Sequence, residues 1–189
     1  MPAATHLFMV RPHLEGVPPV SLPAGATLRA YQPGDERAWL DIIRRGFDAH
    51  AGDDAFERRI SQDEAFRPER VFFAVRSGRP VGTAAAWQKI YHGEKTGYVH
   101  MLAVVPEERR QGLGAALLRT CLHYFRRQGW RDAVLDTETT RLDAVRLYLA
   151  HGFQPLPENE TELENWRKAL SILGRSDLAL RPAAGRTRG

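Results

Sequence analysis

The chain has 189 residues, 43% hydrophobic and 26% charged, which is enough for one sizeable core and short for two. A single cysteine, Cys121, excludes an internal disulfide framework, and no apolar run reaches the ~18 residues that a membrane span needs. The net charge of +4 is local: residues 107–131 carry six Arg against two Glu, residues 175–189 carry four Arg against one Asp, and the remainder is mildly acidic.

The N-terminus, Met-Pro-Ala-Ala-Thr-His, has no basic region followed by a long apolar one, so a cytoplasmic protein without a leader is expected. Leu7-Phe8-Met9-Val10 is a short apolar run, read as an extra strand in an N-terminal extension over residues 1–26. As an exposed edge it leaves monomer and homodimer both open. Pro18, Pro19 and Pro23 oppose a helix in the next stretch. Residues 27–31 alternate, as a strand does. After the Pro33-Gly34 turn, Asp35 caps a helix over 35–46 in which Ala38, Trp39, Ile42, Ile43 and Phe47 share one face. A polar break from Gly46 to Asp54 leads to a second predicted helix over 54–65.

Residues 71–75 read as a buried strand, Ser77-Gly78-Arg79-Pro80 as a hairpin turn, and 81–89 as the return strand. Residues 98–105 carry the strongest strand signal, stopped by Pro106. A helix over 112–128 turns Leu113, Leu117, Leu118, Cys121, Leu122 and Phe125 inward and ends at Gly129. A strand over 133–135, a helix over 141–151 ended by Gly152, and a short strand over 153–155 follow. Thr161 and Glu164 have capping-box spacing and open a helix striped by Leu163, Trp166, Leu170 and Leu173. The order predicts an α/β domain over residues 27–175, on a sheet that starts antiparallel, with a basic, flexible tail at 176–189.

The chemically informative unit is the turn Arg109-Arg110-Gln111-Gly112-Leu113-Gly114 between the strongest strand and a helix. Gly112 and Gly114 let the backbone turn tightly and approach a ligand. The unpaired amides of the first helical turn and the helix dipole favour an anion there, and the two arginines add charge. A pyrophosphate suits this site. The Walker pattern is absent, and Leu117 stands where a dinucleotide fingerprint needs its third Gly. Taken alone, an ordinary strand–helix turn remains the competing reading.

About thirty residues later comes Ala144-Val145-Arg146-Leu147-Tyr148-Leu149-Ala150-His151-Gly152-Phe153. With the Arg109–Gly114 turn and the preceding Leu102-Ala103-Val104-Val105-Pro106, the sequence resembles the GCN5-related N-acetyltransferase (GNAT) superfamily. The resemblance is close over 98–155 and looser back to residue 27. It implies the GNAT fold: a mixed, mostly antiparallel central sheet of about six or seven strands, flanked by helices, with splayed strands at the cofactor site. It also implies an enzyme that moves an acetyl group from acetyl-CoA to a primary amine of a small molecule or peptide, by direct transfer.

Residue by residue, the resemblance implies that Leu102, Ala103 and Val104 pair with the pantetheine arm. Arg109, Arg110, Gln111, Gly112, Leu113 and Gly114 would hold the pyrophosphate. Tyr148 would protonate the departing thiolate and touch the cofactor. His100, two residues before Leu102 and expected on its face, is the first candidate for the base, and Glu138 the second. Arg141 stands where many relatives have Asn, and could reach a cofactor phosphate instead. Trp39, Phe47, His50 and Trp87, with Asp53, Asp54, Phe56 and Tyr91 nearby, are candidates for the acceptor wall. The usual final strand after Gly-Phe is not obvious; the capped helix at 161–173 stands there instead, and Leu178–Leu180 is the only later strand candidate.

No metal is expected, because the seven His show no ligand spacing. Nucleic acid is not expected either, since no helix-turn-helix or aromatic-basic platform is visible. A degenerate acyl-CoA sensor of the same fold is the alternative function.

Overall fold

The computed structural model describes residues 5–47, 51–88, 93–175, 177, 178 and 180. His50 and Tyr91 lie outside the described residues, as does most of the basic tail.

Seven strands form one sheet. In chain order they are β1 (His6–Arg11), β2 (Ala26–Ala30), β3 (Val71–Arg76), β4 (Arg79–Gln88), β5 (Thr96–Val104), β6 (Asp132–Glu138) and β7 (Gln154–Pro155). The helices are α1 (Glu36–Phe47), α2 (Leu113–Arg127), α3 (Leu142–Ala150) and α4 (Glu160–Ile172). The spatial order is β2-β3-β4-β5-β6-β1-β7. All neighbours are antiparallel except β5 and β6, which α2 connects as a parallel crossover. Among the described residues no helix is long and apolar enough to cross a membrane.

Both faces of the sheet are covered, which is why the central strands are apolar on both sides. On one face Phe72, Ala74, Val99, Val104 and Leu135 pack with α2, α3 and α4. On the other, Val71, Phe73, Ala85, Trp87, Ala103 and Val105 pack with α1 and the segment around Phe56 and Ile60. Two glycines set the approach of helix to sheet. A Cβ on Gly97 would lie 2.4 Å from the Phe125 ring, so Phe125 rests directly on the β5 backbone. A Cβ on Gly46 would lie 2.9 Å from Ala103, so α1 sits close on β5.

The N-terminal run forms no free edge, contrary to the sequence expectation. β1 is inserted between β6 and β7 and pairs with β6 from His6↔Glu138 to Arg11↔Ala133. Leu7 and Met9 are fully buried, so burial drives the insertion. Among the described residues no further strand follows β7, and β1 fills that side of the sheet between β6 and β7. Beyond β1 the chain crosses α2, where Arg119 donates to the Pro19 carbonyl at 3.2 Å and His123 Nε2 lies 2.9 Å from that of Pro18.

Two other elements differ from their expected form. The second helix shrinks to a π-helical turn, Glu57–Ser61, closed by the Gln62 amide on the Glu57 carbonyl. α4 starts earlier than the Thr161 box suggested. Asn159 is its cap and accepts from the Glu162 amide at 2.9 Å, while the Glu162 carboxylate accepts from the Glu158 amide at 2.8 Å.

Candidate active site

β5 and β6 run side by side only from Thr96↔Asp132 to Tyr98↔Val134. Beyond that pair they separate, so residues 99–104 and 135–138 form the two arms of a split. A bulge on β5 assists the divergence. Ala85 opposes His100 and Thr83 opposes Ala103, so Met101 and Leu102 together face the single residue Ala84. Met101 takes φ 51°, a left-handed value that few side chains adopt. On the side away from β4, the arm of β5 that carries Leu102, Ala103 and Val104 therefore offers backbone groups to the split.

The bulge also corrects one expectation. Leu102 packs with the α2 side, whereas His100 lies against Trp87 and Tyr98 on the α1 side, at ring distances of 5.6 and 5.5 Å. One extra residue between them reverses the alternation. His100 Nε2 lies 3.4 Å from the Arg59 carbonyl.

Past β5 the chain makes a 3-10 turn at Pro106–Glu108 and enters α2 through two left-handed residues, Arg110 at φ 57° and Gly112 at φ 90°. Gly112 is the N-cap and supplies no side-chain cap, so the first amides of α2 point outward without a partner from the helix. Space beside Gly112 is open, Gly114 lies against Leu147, and Leu113 is buried, so Leu113 can offer only its amide. Arg110 is exposed at the turn. Arg109 is not. It donates to the Gly46 carbonyl at 2.7 Å and to the Val104 carbonyl at 3.1 Å, and so ties α1 to β5. Gln111 accepts from Arg76, which also pairs with Glu108 at 2.6 Å.

Tyr148 is buried on α3, edge-on to Phe153. Burial pushes its phenol up to about 12; Arg141 pulls it back, and Asp136 raises it further. The phenol is thus a neutral donor at neutral pH. Arg141 caps α3 and lays its guanidinium 4.0 Å above the Phe47 ring on α1, so it bridges α3 and α1. Burial lowers its pKa, opposed by the charges of Tyr148 and Glu138. Burial drives the Cys121 thiol well above its ordinary range, so it is no nucleophile.

On the α1 face, Trp39 and Trp87 are fully buried and form the interior of the wall, not a surface that an acceptor could touch. Phe47 is partly exposed beneath Arg141. Glu138 ends β6, with the Thr140 hydroxyl at 3.4 Å. Sequence reasoning missed a network beside these groups. The Tyr98 hydroxyl donates to Asp136 Oδ1, and His6 Nδ1 lies 3.3 Å from Asp136 Oδ2. The alternation of β6 puts Asp136 on the same face as Val134 and Glu138, and that was its one sequence signal.

Residues 36–153 match the model of the acetyltransferase (GNAT) family. A mycothiol acetyltransferase of Thermobispora bispora is 35% identical over 155 residues, covering 77% of this chain and 52% of that protein. A mycothiol acetyltransferase of Thermomonospora curvata is 35% identical over 142 residues, covering 72% of this chain and 47% of that protein. The chain therefore spans about half the length of the curated relatives it matches. Among solved structures, a GCN5-related N-acetyltransferase from Sphaerobacter thermophilus superposes with a TM-score of 0.68 at 27% identity, covering 82% of this chain and 49% of that one. The split sheet, the uncapped helix behind a glycine turn and the family match agree: this chain belongs to the GNAT acetyltransferase family.

Proposed function

We propose that the protein is an acetyl-CoA-dependent N-acetyltransferase that acts on a primary amine of a small molecule. The observation that carries this reading is the split of β5 from β6 directly before the open N-terminus of α2. The split can take the pantetheine arm against the backbone of Leu102, Ala103 and Val104. The amides of residues 111–114, with Arg110 beside them, suit the pyrophosphate. Acetyl-CoA supplies an activated thioester. The curated relatives named for mycothiol acetylation support a small-molecule acceptor over a peptide.

The chemistry asked of the chain's residues follows. An amide on the β5 arm donates to the thioester oxygen and stabilises the charge that develops as the amine attacks. His100, on the α1 face, takes the proton from the amine. As the carbon–sulfur bond breaks, Tyr148 gives its proton to the leaving thiolate. No acyl-enzyme is needed, since the thiol of Cys121 is sealed in the core. Arg109 and Arg141 hold α1 against the sheet and α3, and so set the width of the acceptor side. A cytoplasmic location fits this co-substrate.

The test is release of free thiol from acetyl-CoA over a panel of small amines, amino-sugars and peptides. Turnover with a small amine supports the proposal. Acetyl-CoA binding without thiol release from any acceptor favours a sensor.

A further inference from the structure

We propose that the N-terminal strand completes the acceptor subsite: Asp136, held by His6 and Tyr98, binds the ammonium group of the acceptor. The inference rests on the acetyl-transfer reading above.

Location is the first argument. Asp136 lies two residues beyond Val134, the last β6 residue paired with β5, and Tyr98 is the partner of Val134 in that last pair. The carboxylate therefore stands at the point where the strands part, on the α1 face. It is also close enough to Tyr148 for its charge to act on that phenol.

Fixed geometry is the second. One carboxylate oxygen accepts from the Tyr98 hydroxyl, and the other faces His6 Nδ1 at 3.3 Å. Two neighbours on two different strands hold the group in one orientation. A third strand position, Glu138, lies across from His6.

Charge is the third. Asp35 is neutralised by Arg29 at 2.6 Å, Glu108 by Arg76, and Glu138 stands in the field of Arg141. Asp136 has no Lys or Arg partner among the described residues; a phenol and an imidazole hold it instead. Its side chain keeps 27% of its exposure, enough to meet a ligand. A partly buried carboxylate without a fixed cation attracts one from solution, and a charge-assisted hydrogen bond to an ammonium satisfies it. The insertion of β1 is what brings His6 to this point, so the N-terminal segment belongs to the site as well as to the sheet.

The experiment is calorimetric titration of tyramine into the protein saturated with coenzyme A, where no transfer occurs. The neutral analogue 4-hydroxyphenethyl alcohol serves as the control. Tyramine should bind in the millimolar range or tighter and the alcohol should not. Asp136→Asn should weaken tyramine by about tenfold or more, the scale of a lost charge-assisted hydrogen bond. His6→Phe should weaken it too, whereas His6→Asn, which keeps a donor near the Nδ1 position, should retain most of the affinity. Coenzyme A affinity should stay constant in all three variants, which shows that they are folded. Equal tyramine affinity in wild type and Asp136→Asn overturns the proposal, and so does the absence of tyramine binding to the wild type. The acetyl-transfer reading fails by a separate result: tyramine binds, yet acetyl-CoA releases no thiol with any amine.

Discussion

Arg109 fastens Gly46 to the end of β5: its Nη2 donates to the Gly46 carbonyl at 2.7 Å while its Nε donates to Val104 at 3.1 Å. The side chain that the motif offers to a phosphate is thus spent on the last turn of α1. Arg109→Met should remove both bonds and leave two carbonyls near the core without donors. The expected loss is about 1–3 kcal/mol of stability, read as a lower urea midpoint. Coenzyme A affinity should fall far less than for a change at the glycine turn.

Gly112 holds φ 90° at the head of α2, beside open space. Gly112→Asp strains the backbone and places a carboxylate where the first helical amides point. Coenzyme A binding should fall below detection by calorimetry, with the fold retained by circular dichroism. Unchanged affinity would show that the phosphates bind elsewhere.

Tyr148→Phe removes the proposed acid and keeps the ring against Phe153. Turnover should drop by about 10²-fold or more, within the usual range for an acid catalyst, while coenzyme A affinity holds. A wild-type rate left unchanged by this variant removes Tyr148 from the mechanism.

The same phenol makes a stability prediction. Its folded value is raised from 10.0 to about 12, chiefly by burial. In the unfolded chain it ionises first, so its contribution is complete below pH 10 and is lost as pH rises from 10 to 12. Tyr148→Phe should therefore flatten part of the alkaline decline in stability between pH 10 and 12. Urea midpoints measured across that range check it. Tyr31, also raised to about 12 by burial and by its bond to Glu36, should leave the remainder of the decline.

Gly97→Ala drives a methyl group into the Phe125 ring, whose nearest atom lies 2.4 Å from the Cβ position. Overpacking of this kind costs about 1–3 kcal/mol. The readout is the urea midpoint, with loss of coenzyme A affinity as β5 shifts away from α2.

Elements whose signals are local were legible in the order of residues alone. The glycine turn at 109–114 announced a helix entry built for an anion, because only glycine takes φ 90° without strain and because helix amides lack partners wherever the chain turns in. The apolar periodicity of α2 and the run at β3 set their buried faces. The motif around Tyr148 placed that residue on α3. What the sequence did not carry was anything fixed by contacts between distant segments. The apolar run at 7–10 reads the same in an edge strand as in an inner one, and only pairing with Asp132–Glu138 decided for the interior. Alternation put His100 and Leu102 together, until a bulge at Met101, a matter of strand pairing with β4, set them on opposite faces. The charge of Arg109 and Arg141 is visible in the sequence, but their engagement with the Gly46 carbonyl and the Phe47 ring is not, because those partners lie far away along the chain. Asp136 showed nothing unusual on its strand. Its place beside Tyr98 and His6 exists only once three strands meet, since a carboxylate's surroundings are a property of the folded sheet and not of its neighbours in sequence.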